Sequence, residues 1–137
     1  MDSKTILLIE DDYLDIMSVQ RVLGKMKTNH VLKVAHNGVE ALALLNGNNP
    51  DKEKITPDII LLDINMPKMN GLEFLLIIKN YYSLKSIKVY IMTTSSEEYD
   101  QITAKKLGVS GYIIKPLDSQ PASPDAVNLF EELAAAG

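Results

Sequence analysis

The sequence predicts an α/β fold, a doubly wound (βα)5 parallel sheet of five strands each followed by a helix, in a single domain over residues 1–137. Three observations carry this expectation. Short, nearly all-apolar runs rich in β-branched residues recur along the chain, as strands buried on both faces require. Between them lie stretches in which apolar residues return at helical spacing. Asn, Ser, Gly and Pro punctuate the joints where helices should start and stop. Strands alternating with helices build a parallel sheet through right-handed crossovers, with helices on both faces.

In order, Thr5 to Ile9 (TILLI) is the first strand. Helical character follows from Asp12, with Ile16, Val19, Leu23 and Met26 forming one apolar stripe and Asp12 placed to cap it. His30 to Ala35 (HVLKVA) is the second strand. Asn37, with Glu40 three residues on, caps a helix through Val39 to Leu45, which Asn46-Gly47-Asn48-Asn49-Pro50 stops. A polar loop, Asp51 to Thr56, and Pro57 precede the third strand, Asp58 to Leu62 (DIILL). Leu72, Leu75 and Leu76 belong to the third helix, and Val89 to Met92 (VYIM) is the fourth strand. Ser96 caps a fourth helix that Gly108 ends, and Gly111 to Ile114 (GYII) is the fifth strand. Ser123, Pro124 and Asp125 start a last helix whose apolar positions are Ala126, Leu129, Phe130 and Leu133. The flavodoxin-like strand order 2-1-3-4-5 is the common arrangement for such a chain.

Composition narrows the function classes. The 137 residues are 46% hydrophobic and 23% charged, enough to bury a core without staples. With no cysteine there is neither a disulfide framework nor a thiolate metal site. A net charge of −4 argues against direct nucleic-acid binding through the phosphate backbone, and Lys25, Lys27 and Lys33 read as a solvated face. The apolar runs are too short to span a bilayer, and Met1-Asp2-Ser3-Lys4 does not look like a signal peptide. A cytoplasmic protein without a membrane partner is expected.

Chemistry concentrates where strands end. Glu10-Asp11-Asp12 follows the first strand, Asp63 the third, Thr93-Thr94-Ser95 the fourth, and Lys115-Pro116 the fifth. In an open α/β sheet, ligands bind outside the carboxyl ends at the switch point, and the order 2-1-3 makes the first and third strands neighbours there. The carboxylates should therefore converge, and converging carboxylates stay ionised only beside a cation. Oxygen ligands without Cys or a nearby His favour Mg²⁺, with Mn²⁺ as an alternative. Lys115 is expected on the opposite side, and Thr93 offers a hydroxyl, which together suit a tetrahedral anion. Asp63 then fits the nucleophile of a phosphoryl transfer.

The segments LLIEDD (7–12), DIILLDINMPKMNG (58–71), IMTTS (91–95) and GYIIKP (111–116) together resemble the signature blocks of bacterial two-component receiver domains, the response regulators of the single-domain, chemotaxis-regulator-like kind. The resemblance runs from about Lys4 to the last helix. It implies a signalling phosphoprotein rather than an enzyme of turnover, assisting its own phosphorylation and dephosphorylation. Asp63 matches the phosphoacceptor, Asp11 the direct metal ligand, and Glu10 the acid that holds the metal through water. Asn65 matches the position whose backbone carbonyl completes the metal site. Thr93 matches the switch hydroxyl, Lys115 the phosphate-binding lysine, and Tyr112 the aromatic switch residue. Pro116 matches a proline usually joined to that lysine by a cis bond. Asn65 and Ser95 sit where the family tunes phosphoryl lifetime. The implied partners are a histidine kinase or phosphotransfer protein upstream and a downstream protein on the face of the fourth helix, fifth strand and fifth helix; a homodimer is compatible with it. Two departures stand out. Thr94 fills a position that is commonly smaller, and the loop Asp118 to Ser123 is long. The insert before the third strand is similar to that of small regulators that partner phytochrome-type kinases.

Taken singly, each residue has a plainer reading. Lys115 alone is a solvated lysine, Tyr112 a half-buried packing residue, Asp63 a turn residue, and Glu10-Asp11-Asp12 an acidic helix start. His30 and His36 have no partners at metal spacing and read as structural or exposed. Two rival functions remain: a hydrolase with an aspartyl nucleophile, and a phosphorylation-independent interaction module. The first usually carries Asp-x-Asp after strand one, where this chain has Glu-Asp-Asp. The second has no need of a costly charge cluster.

Overall fold

The structure is a computed structural model and describes residues 3–66, 69–80, 87–94 and 97–135. Its elements are β1 (Lys4–Ile9), α1 (Tyr13–Gly24), β2 (His30–Ala35), α2 (Gly38–Asn46), β3 (Ile59–Leu62), α3 (Gly71–Lys79), β4 (Lys88–Thr93), α4 (Glu98–Lys106), β5 (Gly111–Ile114) and α5 (Pro124–Ala135). The strands form one parallel sheet in the order β2-β1-β3-β4-β5, as the sequence predicts.

Strand alternation sorts the core into two layers. Ile6 and Leu8 of β1, Ile59 and Leu61 of β3, and Tyr90 and Met92 of β4 pack beneath Ile16, Val19 and Leu23 of α1 and Ala126, Leu129 and Leu133 of α5. The alternate residues, Leu7, Ile9, Ile60, Leu62, Val89 and Ile91, meet α2, α3 and Ala104 of α4. These strands read as continuous apolar runs because both faces are covered. Each fully buried Leu or Ile contributes about 1.5–3 kcal/mol relative to exposure.

The expected caps hold for the first two helices. Asp12 accepts from the N–H groups of Leu14 and Asp15, and Asn37 accepts from Glu40. Gly47, in the left-handed conformation, ends α2. Asn70 and Glu73 form a capping box on α3. Ser123 Oγ accepts from Ala126 N at 3.2 Å at the start of α5. For α4 the N-cap is Glu97, without a side-chain cap bond, one residue later than the expected Ser96; Ser95 and Ser96 lie outside the described residues. Met26 falls past the end of α1 and still packs on the same core layer. Asp58 stands one residue before β3 and ties it to β1: its carboxylate accepts from Thr5 N at 2.8 Å, and its own N–H donates to Thr5 O at 2.9 Å. Leu76 points outward, 54% exposed, while Phe74, Leu75 and Ile78 are buried. No helix among the described residues is long and apolar enough to cross a membrane.

Gly71 shows how α3 is brought against the end of β3. A Cβ there would collide with the carbonyl oxygen of Asp63 and stand 2.7 Å from Ile64 Cα, both backbone atoms that cannot swing aside. Gly71→Ala is therefore expected to destabilise the protein by about 2 kcal/mol, an overpacking cost. Urea unfolding measures it; an unchanged midpoint would mean that the close approach of α3 is dispensable.

Candidate functional site

Three backbone ladders bring the strand ends to one level. Ile9 pairs with both Ala35 and Leu62, so the next residues, Glu10 and Asp63, leave neighbouring strands side by side. Asp63 N–H donates to Ile9 O at 3.1 Å and Glu10 N–H to Ala35 O at 2.9 Å, extending the ladders one step beyond the strands. On the far side, Lys115 N–H donates to Thr93 O at 2.8 Å. The Lys115–Pro116 bond is cis, as the resemblance implies. Continuing the alternation by one residue puts Glu10, Asp63 and Lys115 toward the α1/α5 side of the sheet.

Side-chain contacts confirm that placement. Lys115 Nζ donates to Glu10 Oε1 at 2.7 Å, to Asp15 Oδ2 at 2.6 Å and to Asp63 Oδ2 at 3.3 Å. Glu10 is fully buried and its second oxygen accepts from Asp12 N–H at 3.2 Å. Asp63 is 6% exposed, and its Oδ1 accepts from Asn65 N–H at 3.2 Å. Ligand atoms of Glu10, Asp11 and Asp63 all lie within 4.8 Å of one another, with Asp11 exposed at the mouth. Three carboxylates at this spacing are a hard-oxygen donor set that fits Mg²⁺ or Mn²⁺.

Burial pushes the Glu10 carboxyl up to about 7, with the Lys115 hydrogen bond pulling the other way and the charge of Asp63 adding to the rise. Burial also works against the charged form of Lys115, yet the hydrogen bonds it donates to Asp15 and Glu10 and the charge of Asp63 outweigh it and hold the ammonium above its ordinary range. Lys115 thus stays charged while the buried acid beside it resists ionisation.

The other expected residues fall into two groups. Thr93 is fully buried at the end of β4, and Tyr112 is half-buried against the α2–α4 core layer. The register pairs Ile91 with Tyr112 and Thr93 with Ile114, so Thr93 and Tyr112 share the α4 side of neighbouring strands. Thr94 and Asn65 are exposed beside the cluster, as is Pro116. His30 bonds locally to Thr28 and His36 to Glu40, both outside the site.

Three features differ from the sequence reading. Lys115 does not stand across the site from the acids; it lies among them, because a buried ammonium needs acceptors for its three N–H groups. Asp15 joins the cluster although nothing in the sequence singled it out. It occupies the third helical position of α1, where an acidic residue reads simply as a complement to the helix dipole. Asp125 is the other residue missed. It reads as an ordinary second helical residue, but its Oδ2 accepts from Tyr112 N–H at 2.8 Å, binding the outer edge of β5 to α5.

Comparisons with known proteins agree with this fold. The family model described as "Response regulator receiver domain" matches residues 6–122. The response regulator Rcp1 of Synechocystis sp. is 39% identical over 112 residues, covering 82% of this chain and 76% of Rcp1. The crystal structure of the Mn²⁺-bound form of Rcp1 superposes with a TM-score of 0.77 at 36% identity, covering 96% of this chain and 90% of that one. That of the phosphorylated cyanobacterial phytochrome response regulator RcpA gives 0.78 at 34% identity, covering 98% and 91%.

The raised Glu10 sets a pH dependence. Between its ordinary 4.5 and about 7, folded Glu10 keeps the proton that the unfolded chain gives up, so stability falls as pH rises through that window. In EDTA at about pH 8, Glu10→Gln is expected to be more stable than wild type by on the order of 2 kcal/mol, with the gap closing toward about pH 5. Urea unfolding at the two pH values checks this, and a gap that does not change with pH contradicts it.

Proposed function

The chain belongs to the response regulator receiver family, and on that premise we propose that Asp63 accepts a phosphoryl group from a histidine kinase or phosphotransfer protein. The observation that carries the reading is the meeting of Asp63 with Glu10, Asp11 and the Lys115 ammonium, which lies among these acids. An Asp63 carboxylate oxygen forms the new bond to phosphorus. The bond to the donor breaks, and the donor leaves with its electron pair. The phosphoryl group arrives with its own negative charge into a site already crowded with carboxylates, so charge neutralisation is the main catalytic need.

Glu10, Asp11, Asp63 and the backbone carbonyl of Asn65 would hold Mg²⁺, or Mn²⁺, which when bound neutralises the phosphoryl oxygens. The Mn²⁺-bound form of Rcp1 supports that choice, and phosphorylated RcpA supports the phosphoacceptor assignment. Lys115 offers its ammonium to a phosphoryl oxygen, and Thr93 its hydroxyl. Thr94 narrows access to Asp63, Asn65 and Ser95 tune the phosphoryl lifetime, and Pro116 fixes the turn that follows Lys115. In this reading the new charge draws Thr93 toward the phosphoryl group and Tyr112 follows, since the two share one side of the sheet. The surface of α4, β5 and α5 then changes its preference for a downstream protein or a second copy, a population shift driven by different phosphoryl contacts in the two states. Residues 1–137 act here as one cytoplasmic receiver domain, through protein contact or phosphoryl relay, without direct nucleic-acid binding.

Incubation with acetyl phosphate and Mg²⁺ is expected to add one phosphoryl group by intact mass. EDTA abolishes the adduct, and so does Asp63→Ala. No adduct from acetyl phosphate or from a panel of histidine kinases would refute the reading and favour a phosphorylation-independent interaction module.

A further inference from the structure

We propose that Asp15 is a positioning residue: it holds Lys115 in the unphosphorylated protein and competes with the incoming phosphoryl group for that ammonium. The competition rests on the phosphoacceptor reading above; the holding contact does not.

An ammonium has three N–H donors, and in this structure all three are committed, to Glu10, Asp15 and Asp63. A phosphoryl oxygen on Asp63 gains a bond from Lys115 only when one of these is released or redirected. Glu10 is a poor candidate for release. It is fully buried, so leaving it without the ammonium would strand a desolvated carboxylate. Asp63 makes the longest of the three contacts, and it is the residue that becomes modified. Asp15 makes the shortest contact, yet its side chain is 36% exposed against 0% for Glu10 and 8% for Asp63. Water can replace the lysine at Asp15 at little cost, and the N-terminal turn of α1 keeps a carboxylate comfortable there. Asp15 is therefore the partner that gives Lys115 up.

The same carboxylate has a second effect. It lies outside the metal-suited group of Glu10, Asp11 and Asp63, so a bound divalent cation need not neutralise it. Its charge remains beside the site and repels an anionic phosphodonor. Both effects act in one direction, slowing phosphorylation of Asp63 and limiting background reaction with small donors.

Two measurements test this. Asp15→Asn is expected to raise the second-order rate of phosphorylation by acetyl phosphate about three- to tenfold, the gain shrinking as salt screens the lost repulsion. Asp15→Ser should behave alike, and Asp15→Glu should return toward wild type. In metal-free protein without donor, acylation of Lys115 by acetic anhydride, mapped by peptide mass, should rise severalfold in Asp15→Asn while exposed Lys25 and Lys27 do not change. Unchanged Lys115 labelling removes the holding contact. Increased labelling with an unchanged phosphorylation rate removes the competition alone. A wild-type protein that takes no phosphoryl group removes the phosphoacceptor reading and the competition with it, leaving the labelling to decide the contact by itself.

Discussion

The carboxyl edge of this sheet is organised by one imbalance among the described residues: Glu10, Asp15 and Asp63 share the ammonium of Lys115, and the Asp11 carboxylate stands beside Glu10 and Asp63. Like charges at such spacing repel by several kcal/mol wherever water is excluded. The fold can hold them only because the backbone ladders fix their origins and because each buried oxygen has a donor. Glu10 takes one from Lys115 and one from Asp12 N–H; Asp63 takes one from Lys115 and one from Asn65 N–H. The cluster is locally satisfied but short of positive charge, and a site short of positive charge is one that a divalent cation completes.

This explains how the two core layers serve the chemistry. The α1/α5 layer carries the charge cluster, with Asp15 supplied by α1 and Glu10, Asp63 and Lys115 continuing the strand alternation on that side. The α2–α4 layer carries Tyr112, and Thr93 leaves β4 on the same side. The charge cluster and the Thr93–Tyr112 pair thus occupy opposite faces of the same sheet, joined at the strand ends. Asp125, which accepts from the Tyr112 backbone N–H, ties the outer strand to α5.

Local rules found the elements well because they agree with one another. The run TILLI, the cap Asn37 with Glu40, and the stop at Gly47 are each settled within a few residues. Boundaries slipped where tertiary contacts decide them. Lys4 joins β1 by pairing with His30, Asp58 stands outside β3, and α4 begins after Glu97 instead of Ser96. Most of the site was legible for the same kind of reason: Glu10, Asp63, Thr93 and Lys115 directly follow apolar runs, with Asp11 next to Glu10, and a polar residue ending a buried strand is a local signal.

The sequence alone determined the βα alternation and the residues that reach the carboxyl edge, because apolar runs and helical periodicity are written residue by residue; the strand order followed from the arrangement common to such chains. It could not determine who pairs with whom there. Asp15 lies one hundred residues from Lys115 in the chain, and its position in a helix's first turn has an ordinary explanation. Only packing of α1 against the sheet turns its carboxylate toward that lysine. Likewise, Lys115 sits among the acids because burial demands acceptors for all of its donors, a requirement that exists only once the core has closed around it.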